Sequence, residues 1–190
     1  MLSWVYNNNN RSIMMEKETK FEINVFELIE PIFIVGRSIR IPVAGTPECF
    51  KAIGGLYTDF FKDNTVALIP NKKETIIHKN KGHFGLCYDH IQNGDSIEFT
   101  YAIGVQVLGF PEDNELPKNT QRYIIPKGMY ARIHVSAPPG KAEGIAWMEL
   151  DNWSKKTPKW EFQDSIYEVY IDNSSEWMEF ELWKSIIEKK

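Results

Sequence analysis

Ser165-Ile-Tyr-Glu-Val-Tyr-Ile-Asp172, a short polar break and Trp177-Met-Glu-Phe-Glu-Leu-Trp183 decide how this chain is read. Both runs are rich in β-branched and aromatic residues, and Asp172-Asn-Ser-Ser175 between them has turn chemistry, so the pair reads as a β-hairpin. Alternation along the first run groups Ile166, Glu168 and Tyr170 on one face and Tyr167, Val169 and Ile171 on the other. Both faces are apolar or aromatic, so the strand is expected to be buried on both sides, with Glu168 as the exception. A buried carboxylate is costly unless something pairs with it. The expectation is that a ligand is that partner and that the chain presents Glu168 among aromatic rings. The plainer alternative is a structural carboxylate bonded to backbone or to Arg37 or Arg132.

Composition is that of a globular domain and excludes several other classes, while its aromatic content leans only slightly toward a binding cavity because Trp and Tyr also fill cores. The chain has 190 residues, 43% hydrophobic and 25% charged, enough for one domain with a real core. Aromatics reach 13%, with six Trp, more ring area than a plain core requires. A net charge of −4 gives no attraction to phosphate backbones or anionic membranes, so neither nucleic acid nor a membrane is an expected direct partner. Cys49 and Cys87 are too few for a disulfide scaffold, and no secretory signal or long apolar run opens the chain, so a cytoplasmic location is expected.

Upstream of the hairpin, residues 1–18 show no sustained period and read as a mobile tail, too short for a helix-turn-helix, followed by one domain over 19–190. Phe21 to Ile29 and Ile32 to Ile41 read as strands split by Pro31. Thr46-Pro47 has the form of an N-cap and first-turn proline, and apolar residues at Phe50, Ile53, Tyr57, Phe60 and Phe61 predict a helix over 47–62. Gly54-Gly55 inside it points to close packing against the sheet or to room left for a ligand, close packing being the commoner reason. Residues 63–80 read as a loop or edge strand, Phe84–Tyr88 and Ile97–Val107 as strands, and Phe110–Lys118 as a linker. Tyr123–Val135 is strand material with a turn at Pro126-Lys-Gly128, and a helix follows over 141–155, packing through Ala142, Ile145, Ala146, Leu150 and Trp153. Shifted by 95 positions the halves share Pro31/Pro126, Arg37/Arg132, Gly45/Gly140 and Glu48/Glu143 in the same element order. The fold class is therefore α+β, two tandem pseudo-symmetric repeats of antiparallel strands plus helix, about 20–108 and 120–190, around a central cleft.

Ile34-Val-Gly-Arg37, Gly85-Leu-Cys-Tyr88, Tyr101-Ala-Ile-Gly-Val105, Ile125-Pro-Lys-Gly-Met-Tyr-Ala131 and Tyr167-Glu-Val-Tyr170 with Glu181-Leu-Trp183, in this order, resemble the GyrI-like effector-binding domain, the ligand-sensing half of AraC-type and MerR-type transcription activators. The resemblance implies a duplicated α+β unit with a central cavity, in which a glutamate on a late strand meets cationic, aromatic drugs. Glu168 holds the matching position, and Trp183 falls where a cavity aromatic near the C-terminus would lie. The family often ends on a proline-containing strand where this chain has Lys184-Ser-Ile-Ile187, and no segment matches the activators' DNA-binding domain, so their regulatory output is not carried over.

The expected ligand-binding set is Glu168, Tyr170, Trp183, Tyr101, Tyr57, Trp147 and Tyr88, taking a small hydrophobic cation through charge and cation–π contact. No cofactor is expected. His83, Cys87 and His90 fall short of a metal site because alternation turns His90 to the other face and a fourth ligand is missing. His134 reads as a strand histidine. Some GyrI-like members are hydrolases, in which Glu168 as base and Tyr170 as donor would serve. The chain has no nucleophile elbow, phosphate loop or paired-histidine motif, so an enzyme is the second reading. The third is a protein-interaction module, such as a gyrase-inhibitor-like protein or the sensing partner of a regulator.

Overall fold

The structure, a computed structural model, describes residues 20–72, 83–137, 143–173 and 178–189. Its strands are β1 (Lys20–Leu28), β2 (Ile32–Ile41), β3 (His83–Asn93), β4 (Ser96–Val107), β5 (Gln121–Ile125), β6 (Gly128–Ala137), β7 (Trp160–Asn173) and β8 (Met178–Glu188). The helices are α1 (Pro47–Lys62), the single turn α2 (Thr65–Leu68) and α3 (Glu143–Lys156). All eight strands join one curled antiparallel sheet in the order β1-β6-β8-β7-β3-β4-β2-β5.

That order has a symmetry that follows from repetition. If β1-β2-α1-β3-β4 corresponds to β5-β6-α3-β7-β8, the strand order reads the same from either edge, with a pseudo-twofold axis between β3 and β7. The first strand of each unit crosses over: β1 pairs with β6, and β5 with β2. α1 packs on β2 and β4, and α3 on β6, β1 and β7, so the helices cover the two halves of one face.

The period-two pattern sorts the core into two layers. On the helix side lie Val35, Ile41, Leu56, Phe60, Ile103, Ile133, Phe180 and Leu182. On the opposite face Ile34, Phe84, Leu86, Ile125, Tyr130, Tyr167, Val169 and Trp183 make a second cluster. Each such side chain contributes roughly 1.5–3 kcal/mol through burial. The second layer is tight where β2 meets β4. Gly36 and Gly104 are direct partners, and a Cβ on Gly36 would come within 2.0 Å of the Ile103 carbonyl oxygen.

The α1 prediction holds in detail, since Thr46 caps the helix and its Oγ1 accepts from the Cys49 amide at 3.2 Å. Other readings are corrected or fall outside the described residues. A Cβ at Gly54 or Gly55 would meet nothing within 4 Å, so these glycines are not there for close packing. β8 runs as strand through Lys184-Ser-Ile-Ile187 to Glu188, which places the end of the sheet that comparison with the family left open. Where 63–80 was expected to be loop or edge strand, Thr65–Leu68 form the helical turn α2. The proposed tail over 1–18, residues 73–80, residues 138–140 and the tip of the closing hairpin lie outside the described residues. Among the described residues no helix is long and apolar enough to cross a membrane.

Candidate functional site

At the pseudo-twofold axis β3 and β7 pair in the register His83↔Tyr170, Gly85↔Glu168 and Cys87↔Ile166, and β4 continues the rows with Ile103 beside Gly85 and Tyr101 beside Cys87. Alternation turns these side chains toward the helices. Gly85 supplies no side chain to the central row, and that gap is where two polar groups meet. A Cβ at Gly85 would come within 2.5 Å of both Glu168 Oε2 and the Tyr101 hydroxyl.

Glu168 is buried, with 9% of its surface exposed. Its Oε2 accepts a hydrogen bond from the Tyr101 hydroxyl at 2.7 Å and another from Tyr170 at 3.0 Å. Tyr57, carried in on α1, has its hydroxyl 3.1 Å from that of Tyr101. Because Tyr101 gives its single proton to the carboxylate, Tyr57 is the donor in this contact, and the chain of protons runs inward to Glu168. Rings enclose the group. His83 stacks on Tyr170 with centroids 4.4 Å apart, Tyr57 meets His83 edge-on at 5.3 Å, and Phe61 meets it at 5.2 Å.

Burial, and after it the Glu168 charge, holds the hydroxyls of Tyr57, Tyr101 and Tyr170 well above the ordinary tyrosine range. All three are neutral donors at physiological pH. The same causes, burial first and then Glu168, push the Cys87 thiol up and favour its protonated form. The site thus presents a carboxylate, hydroxyl oxygens and ring faces, with its tyrosine protons already directed at Glu168. That surface suits a positive group.

Of the residues expected to gather here, Tyr57, Tyr101 and Tyr170 do so around Glu168, and three others do not. Trp183 pairs directly with Tyr167 while Leu182 stands opposite Glu168, so the hairpin register turns the indole to the other face of the sheet. There it packs on Phe26 at 4.9 Å and donates to Glu181 at 2.8 Å. Tyr88 also belongs to that face, 6.1 Å from Tyr123. Trp147 of α3 packs on the helix-side core but has no described hydrogen bond or ring contact with the tyrosine cluster. The arginines proposed for the plainer reading are occupied elsewhere, Arg37 with Asp63 and Arg132 with Glu181.

The cluster also contains three residues outside the expected set: His83, Phe61 and Gly85. The parity of His83 with Cys87 assigns it to this face, where it serves as a ring and not as a metal ligand. Phe61 follows Tyr57 by one helical turn, and Gly85 becomes significant only once β3 is known to pair with β7. Among the described residues no three His, Cys, Asp or Glu groups could hold a metal. His90 departs from simple alternation because the register of β3 shifts after Tyr88, with Asp89 at φ 53°, and its ring stacks on Phe99 of the helix-side core.

No curated protein matches the chain by sequence. Among solved structures it is similar to SAV2435 bound to tetraphenylphosphonium, with a TM-score of 0.65 and 15% identity over 87% of this chain and 94% of that one. An integron cassette protein from Vibrio cholerae gives a TM-score of 0.62 at 17% identity, covering 90% and 100%. EcmrR, in a complex with DNA, gives 0.63 at 15% identity, covering 89% of this chain and 58% of EcmrR. At these identities the likeness is one of fold, and the fold is the GyrI-like effector-binding fold. The sequence profile of the Cass2 family, described as integron-associated effector binding protein, matches residues 27–186, and the chain belongs to that family.

Proposed function

We propose that the protein binds a lipophilic or aromatic cation on the helix side of the sheet, over Glu168, with Tyr57, Tyr101 and Tyr170 as the aromatic contacts. The observation that carries this reading is the buried Glu168 carboxylate, held by tyrosine hydroxyls at 2.7 and 3.0 Å and enclosed by rings. A cation about 4 Å from the carboxylate gains on the order of 4 kcal/mol at an effective dielectric of about 20. Each ring face adds about 0.5–2 kcal/mol when desolvated. An anion would meet a negative charge and find the tyrosine protons already committed. The similar fold of SAV2435, bound to tetraphenylphosphonium, supports the same ligand class.

The test is titration calorimetry with tetraphenylphosphonium on the native protein and on Glu168→Gln. Glutamine keeps the shape and an oxygen acceptor for the two tyrosines but removes the charge. The expected result is binding at least about tenfold weaker, corresponding to about 1.4 kcal/mol, with little change in melting temperature. Equal affinities would overturn the reading.

A further inference from the structure

Gly54 and Gly55 sit in the middle of α1, where glycine is a poor helix former, and a Cβ on either would touch nothing. At about 100° per residue, Phe50, Gly54, Tyr57 and Phe61 fall on one stripe of the helix, with Gly55 about 100° or more away from it. The buried Cys49, Leu56 and Phe60 occupy a different side. Two members of the stripe fix where it looks. Tyr57 brings its hydroxyl to 3.1 Å from that of Tyr101, and the Phe61 ring stands 5.2 Å from His83 of β3. The stripe therefore borders the centre of the sheet. α1 rests on β2 and β4, α3 on β6, β1 and β7, and β3 runs between these two footings. Along this flank Phe50 is 66% exposed and Phe61 41%, and between them Gly54 leaves at least 4 Å of open space where its Cβ would point. Open aromatic rings aligned beside a buried carboxylate differ from the singly scattered apolar residues of an ordinary surface.

We propose that this flank of α1 is an outer subsite for the same guest and that Gly54 is its size-determining residue: the positive centre stands over Glu168, and an aromatic ring that it carries lies along the helix across Gly54, between Phe50 and Phe61. The inference rests on the cation reading of Glu168 and narrows it to bulky cations with several rings. Tyr57 joins the two parts, because it belongs to the stripe and its hydroxyl belongs to the cluster around Glu168. A ring placed across Gly54 covers apolar surface that is otherwise wet and meets the Phe50 and Phe61 rings. A cation with a single small ring is held at Glu168 and gains nothing further out. Any side chain at position 54 would fill the space that the outer ring needs, whereas position 55 points away from it.

The experiment compares tetraphenylphosphonium with trimethylphenylphosphonium, which has the same charge and central atom but methyl groups in place of all but one ring. Both are titrated calorimetrically into the native protein, Gly54→Leu, Gly55→Leu and Phe50→Ser. The native protein is expected to bind the larger cation more tightly. Gly54→Leu should weaken tetraphenylphosphonium by about tenfold or more and change trimethylphenylphosphonium by less than about twofold, with the helical circular dichroism signal retained. Gly55→Leu should leave both affinities in place. Phe50→Ser removes an exposed side chain and should weaken only the larger cation, by severalfold. Equal effects of Gly54→Leu on the two cations, no effect on either, or the same loss in Gly55→Leu overturns the inference. If Gly54→Leu does not fold, Phe50→Ser decides alone, and an unchanged tetraphenylphosphonium affinity there is equally fatal. Glu168→Gln run alongside separates the two levels. Tetraphenylphosphonium binding that weakens in Glu168→Gln but is indifferent to Gly54→Leu removes only the outer subsite, whereas no loss in Glu168→Gln removes the cation reading and the subsite with it.

Discussion

Oε2 of Glu168 accepts hydrogen bonds from two tyrosines whose hydroxyls are kept protonated by burial and then by the Glu168 charge, so the ionised carboxylate and the neutral phenols stabilise each other. The raised tyrosine values have a definite sign for stability. The folded protein holds these protons more tightly than the unfolded chain, so the contribution is complete below the ordinary tyrosine value of 10.0 and is lost as pH rises through the higher folded values. Tyrosinate absorbance at 295 nm should therefore rise late in the folded protein, with Tyr123 pushed up to about 12, and stability in urea should decline above the ordinary range. Gly85 is the other exacting residue. Gly85→Ala puts a methyl 2.5 Å from both Glu168 Oε2 and the Tyr101 hydroxyl, and should cost about 1–3 kcal/mol in denaturant titration while weakening tetraphenylphosphonium binding. Alternation alone made Glu168 and Tyr170 legible in the sequence. Trp183 was misassigned because its face depends on the register of the hairpin, which strand composition does not reveal.

α1 was legible because its signals are local: a Thr46 cap, Pro47 in the first turn and apolar residues at helical spacing. Its role depends on a contact that is not local. Arg37 of β2 reaches the Asp59 carbonyl at 3.3 Å and pairs with Asp63, fixing the last turn that carries Phe61 and so the approach of Tyr57 to Tyr101. Inside the helix, Gly54 and Gly55 have open space where a Cβ would point. Gly55→Ala should accordingly stabilise the protein by about 0.5–1 kcal/mol, read as a higher urea midpoint, because alanine lowers the entropy cost of the helix without a clash. Gly54 lies four residues after Phe50 and three before Tyr57, on one side of the helix. β3 shows the opposite case to α1. Its central residues have the expected alternation, but the shift after Tyr88 is set by pairing with β4 and reversed the expected direction of His90.

For the whole molecule, the sequence shows the repetition only as a handful of matches at a shift of 95, because the side chains of each half serve their own core contacts and the two halves share little beyond element order. The sheet order makes the relation plain, and it contains an exchange that no sequence pattern announces: β1 completes the second unit's sheet at β6, and β5 completes the first unit's at β2. The opposite-face cluster is shared as well, with Ile34 and Phe84 from one half packed among Ile125, Tyr130 and Trp183 from the other. Neither half can bury its core alone. Expressed separately, fragments 1–118 and 119–190 would each present β3 or β7 as a bare edge and lack the strand lent by the partner. Each should be unfolded or aggregated, with no cooperative melt by circular dichroism. Co-expressed, they should assemble into a one-to-one complex with the native spectrum, less stable than the intact chain and concentration-dependent, since joining the halves is no longer intramolecular. A monomeric half that melts cooperatively would mean that the strand exchange is dispensable. The Glu168 site would then have to belong to one unit, contrary to its pairing of Gly85 from the first half with Glu168 from the second.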